Sequence, residues 1–120
     1  MSRYVLDWSY SDKQVELIDH KYNRKLILVR GNDGGIFAVC YGKKFKIDPD
    51  DIDHVFFEEP KFFKAGTIAF FDSDGDVLEY TVDGLRNNVA LVFDVKRKEK
   101  NSFYAMFKLL QDNGFKCNAT

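Results

Sequence analysis

The sequence predicts a mainly β domain closed by one C-terminal helix, and three observations predict it. Between positions 14 and 95 the apolar residues come in short runs or in alternation, separated by turn-forming clusters. After position 100 the period changes. Phe103, Met106, Phe107 and Leu110 fall at i, i+3, i+4 and i+7, one apolar stripe of a helix. No linker or low-complexity tract interrupts the 120 residues, so the chain reads as one domain.

Each element follows from local chemistry. Val15 and Leu17 alternate with Gln14 and Glu16, as in a half-buried strand, and the polar stretch 19–24 turns the chain. Leu26 to Val29 form a continuous apolar run, the pattern of a strand covered on both faces. Gly31-Asn32-Asp33-Gly34-Gly35 is a turn, because glycine and asparagine tolerate positive φ. A third strand starts at Ile36. Gly42 marks a bulge or bend in it, and the strand continues through Phe45 and Ile47. Asp48-Pro49-Asp50-Asp51 is the next turn. Strands over 52–57 and 65–71 follow, then one over 77–82, joined to its predecessor as a hairpin by Asp72-Ser73-Asp74-Gly75. A seventh strand covers 89–95. Asn101 supplies a cap for the helix, and Gly114 the left-handed residue that ends it.

Residues 1–12 form a separate arm, and 13–120 the domain. The arm carries Tyr4, Trp8 and Tyr10 between polar residues. It either packs these rings on the body as an extra strand or offers them to a partner, since Trp and Tyr are enriched at interface hot spots.

Composition excludes several classes. The formal net charge is -1, from 18 basic and 19 acidic side chains, which gives no global attraction to nucleic acid. Such binding needs a local patch. No segment approaches the ~20 apolar residues of a membrane helix, and no secretory leader is apparent, so a cytoplasmic protein with free thiols at Cys40 and Cys117 is expected. His20 and His54 have no Cys-x-x-Cys partner for zinc, and no nucleophile-base pattern accompanies them. Asp72-Ser73-Asp74-Gly75-Asp76 lacks the spacing of a calcium loop and reads as a hairpin turn with solvated acids. No cofactor, metal or catalytic residue is expected.

The order of elements resembles the pleckstrin-homology-like (PH-like) fold. The likeness to its bacterial modules rests on Phe45-x-Ile47, Asp51-Ile52-Asp53-His54-Val55, Gly66-Thr67-Ile68-Ala69-Phe70, Leu91-Val92-Phe93 and Phe103-x3-Phe107, within about residues 14–115. The resemblance implies seven antiparallel strands in two roughly orthogonal sheets, a partly open barrel capped by the helix. It also implies a binding scaffold without enzymatic activity, of the kind a bacterial or phage accessory or inhibitor protein uses. Its relatives take peptides between an edge strand and the C-terminal helix. The first expectation is therefore a protein partner or a second copy of the chain, met through Tyr4, Trp8 and Tyr10 or through a sheet edge.

The alternative is an anionic lipid headgroup held by Lys43, Lys44 and Lys46, or by Lys21, Arg24 and Lys25 in the first hairpin. Lipid-binding relatives carry a Lys/Arg-x-Arg spacing there, and this hairpin departs from it. Lys96-Arg97-Lys98-Glu99-Lys100 reads as a solvated basic connection.

Overall fold

The computed structural model describes residues 14–19, 21, 23–31, 34–40, 42–80 and 89–119, without the side chains of 43, 80 and 89. The arm with Tyr4, Trp8 and Tyr10 lies outside them. The described residues form two four-stranded sheets, a two-stranded ribbon and one α-helix.

The first sheet is an antiparallel meander of β1 (Gln14–Asp19), β2 (Arg24–Arg30), β3 (Ile36–Cys40) and β4 (Lys43–Ile47). β3 and β4 are two strands where the sequence suggested one. Gly42 at φ 71° closes a hairpin between them, and Ala38 pairs with Phe45. Alternation across position 42 survives because the hairpin returns the same apolar face to the core. The unbroken pattern therefore hid the reversal. The second sheet has the order β10-β5-β6-β9, from β5 (His54–Glu58), β6 (Gly66–Phe71), β9 (Val92–Val95) and β10 (Cys117–Ala119). Eight strands rather than seven thus lie in the two sheets.

The pairing of β10 with β5 is parallel, which corrects the expected all-antiparallel meander. A three-residue segment beyond the helix has no periodicity to read.

The hairpin after β6 is also modified. Phe71 bridges Val77, but β7 (Glu79–Tyr80) then leaves to pair with β8 (Val89–Ala90), and β9 takes the place beside β6. Leu91, buried, joins the two regimes: its amide donates to Leu78 O at 2.9 Å and its carbonyl accepts from Phe70 N at 2.9 Å.

One core lies among these elements. Leu17, Leu26, Leu28 and Ile47 come from the first sheet, and Val55, Phe57, Phe70 and Phe93 from the second. Helix α1 (Lys100–Asp112) adds Phe103, Met106 and Leu110. Phe107 is only half-buried, contrary to the expected stripe, and stands edge-on to Phe57 at 5.0 Å. Asn101 is not the cap. The residue before the helix is Glu99, and its carboxylate accepts the Ile18 amide at 3.1 Å, satisfying the edge of β1 instead of the helix end. Gly114 does end the helix, at φ 91°, with Phe115 N donating to Leu110 O at 3.0 Å.

A buried ion pair joins the two sheets. Asp19 is fully buried and accepts Arg24 Nε at 2.8 Å and the Asp94 amide at 3.0 Å. The Arg24 guanidinium also donates to the Val92 carbonyl and lies 4.4 Å from the centre of the Phe93 ring. Residues from β1, β2 and β9 thereby share one polar joint.

Candidate functional site

The loop between β5 and β6 is the most unusual surface among the described residues. Lys61 N donates to Lys64 O at 2.9 Å and Lys64 N returns to Lys61 O at 3.4 Å, so Phe62 and Phe63 occupy the two corners of a tight turn. Gly, Asn, Asp and Pro dominate such corners because of backbone demands. Neither phenylalanine has positive φ, so the backbone does not ask for these side chains. Phe62 is 84% exposed and Phe63 86%. Burying a phenylalanine is worth about 1.5–3 kcal/mol, and folding leaves that stabilisation unused at both rings.

The base of the tip is closely packed. Gly66 is buried, and a Cβ there would lie 2.3 Å from Glu58 O and 2.6 Å from Pro60 N. Only glycine lets the returning strand approach so closely. Tyr104 of α1 donates its hydroxyl hydrogen bond to Glu59, which ties the helix to the hairpin. That bond, chiefly, raises the phenol above its ordinary pKa.

Bases surround the rings. Lys61 and Lys64 flank them in sequence, and Lys64 Nζ reaches Glu58 at 3.2 Å. Register brings in the rest. Gly66 pairs with Val95, so β9 ends beside the tip and delivers Lys96, Arg97 and Lys98 there. Arg97 stands 5.3 Å from the centre of the Phe62 ring. An open cleft of about 430 Å³ lies between the tip and the 96–98 segment.

The same register sends the acidic loops away, while Glu58 and Glu59 stay at the base of the tip, engaged by Lys64 and Tyr104. His54 pairs with Phe71, so the 48–53 and 72–76 loops meet at the opposite end of β5 and β6. β6 has six residues, roughly 20 Å at about 3.3 Å per residue. A net charge of -1 thus covers a tip rich in bases and a far end rich in acids. In the acidic loop, Asp72 Oδ1 accepts the amides of Asp74 at 2.9 Å and Asp76 at 3.0 Å, a turn-forming use of the carboxylate.

The residues singled out from sequence fall elsewhere. Lys44 and Lys46 lie on one face of β4, an edge strand, with Lys44 Nζ 4.2 Å from the Phe37 ring centre. Lysines on an edge discourage pairing with other chains. Arg24 is buried in the joint with Asp19, and Lys25 faces Glu16 at 3.6 Å, so the first hairpin does not offer them together. His54 bonds Asp53 at 2.7 Å and stacks on Phe71 at 5.0 Å. The β5 edge beside α1 is taken by the chain's own β10. A small, mostly apolar pocket of about 120 Å³ remains there, among Phe57, Glu59, Phe103, Tyr104, Phe107 and Ala119. Cys40 is buried in the core, and burial pushes the Cys117 thiol up to about 11.

Positions 61–64 carry no strand or helix period in the sequence. Two adjacent aromatics bracketed by lysines, where a turn is required, are the signal that could have found the tip.

Comparison with protein-family models, curated proteins and solved structures finds no match for the chain.

Proposed function

We propose that the chain is a non-catalytic binding module of the PH-like kind that docks its β5–β6 tip on an anionic partner surface. The observation that carries this reading is the Phe62–Phe63 pair, exposed at a turn and ringed by Lys61, Lys64, Lys96, Arg97 and Lys98. Exposed apolar groups rimmed by polar residues mark interaction surfaces, and the bases around this pair outnumber Glu58 and Glu59 at its base. Two β-sheets with a C-terminal helix support the scaffold part of the proposal. No helix among the described residues is long and apolar enough to cross a membrane.

The test is retention on phosphate-bearing beads across a salt gradient. Wild type binds at low salt and elutes as screening increases. Lys96→Glu/Arg97→Glu/Lys98→Glu passes through, while Asp72→Asn/Asp74→Asn/Asp76→Asn is retained at least as well as wild type. Equal retention of the 96–98 variant and wild type refutes the reading.

A further inference from the structure

We infer that the tip's partner is an anionic lipid bilayer, into which Phe62 and Phe63 insert; this rests on the reading of the tip as an anionic docking surface. The shape of the site favours this occupant. The rings stand at the corners of a tight two-residue turn, the narrow end of a hairpin. A narrow end cannot lay a broad contact on a solid protein surface, but it penetrates a fluid one. Single-stranded nucleic acid is gripped by rings on an open platform along a basic track, which this apex does not provide.

The vertical order of the groups fits a bilayer as well. Lys61 and Lys64 lie one residue below the Phe pair on each side of the turn. With the rings among acyl chains, these ammonium groups stand at headgroup level, and their long stems let them reach the interface. Lys96, Arg97 and Lys98 border the same cleft and add attraction to acidic headgroups. The acidic 48–53 and 72–76 loops are at the far end of the sheet, so an anionic membrane repels the opposite orientation. Charge therefore steers the molecule tip first, and the rings hold it there. Two such contributions together are what lasting attachment to a membrane requires, since one weak anchor reverses readily.

The experiment is vesicle flotation with phosphatidylcholine alone and with phosphatidylcholine plus phosphatidylserine. Wild type floats with the phosphatidylserine vesicles and not with the neutral ones. Phe62→Ser/Phe63→Ser loses at least about tenfold in vesicle affinity, yet stays on phosphate-bearing beads at low salt. Phe62→Trp gains fluorescence quenching by brominated phospholipid over the wild-type signal, a direct reading of insertion. If the double variant floats as well as wild type, adsorption is electrostatic only and insertion is refuted. If wild type binds the beads but ignores the vesicles, anionic docking stands and the bilayer is refuted in favour of a protein or nucleic-acid partner. If it binds neither, both readings fall.

Discussion

The joint at Asp19 and Arg24 and the tip at Phe62 and Phe63 invert the usual placement of side chains. At the joint, charge is inside; at the tip, large apolar groups are outside. Yet the joint is satisfied and the tip is not. Asp19 and Arg24 bond each other, and between them they take the Asp94 amide and the Val92 carbonyl. A buried charge with partners from several strands belongs to the architecture. The rings at the tip make no comparable use of their area. An unusual residue that the fold fully uses is structural; one that the fold leaves unused points outward, to something the fold lacks.

The comparison can be broken first at the joint. Arg24→Ala leaves Asp19 buried without its counter-charge and is expected to cost about 3–5 kcal/mol in denaturant unfolding. A loss under 1 kcal/mol would show that Asp19 tolerates the site alone. Next in size is the helix. Met106→Ala, at a fully buried position, costs about 2–5 kcal/mol. Phe107→Ala, at a half-buried one, costs less, and equal melting midpoints for the two would contradict the packing of α1. Gly66→Ala sharpens the view of the tip. The new Cβ forces the β5–β6 backbone apart at Glu58 and Pro60, at about 1–3 kcal/mol. Amide chemical shifts of residues 58–67 are expected to move, while those around Asp19 stay.

Much of the scaffold was legible because periodicity reports burial. Phe103, Met106 and Leu110 face the core as their spacing required, and Gly114 ends the helix as a glycine there should. Three features were hidden by physics that a single sequence does not display. The Gly42 hairpin preserves alternation on both sides. β10 is too short to have a period and gains its strand character from β5. The Asp19–Arg24 joint looks like a polar turn, because burial of charge depends on partners far along the chain, Val92 and Asp94 among them. The basic tip was half legible. Lys96, Arg97 and Lys98 stand out as a basic run, but only strand register brings them beside Phe62 and puts the 48–53 and 72–76 loops at the other end. The local charge density of Lys43, Lys44 and Lys46 says nothing of which apolar groups accompany it.

The central claim is that the exposed rings serve binding and not folding. Its most direct test measures both properties on one variant, Phe62→Ser/Phe63→Ser. Denaturant unfolding is expected to stay within about 0.5 kcal/mol of wild type, as for surface positions, while flotation with phosphatidylserine vesicles is lost. Stability that falls by several kcal/mol, or flotation that persists at the wild-type level, would contradict it.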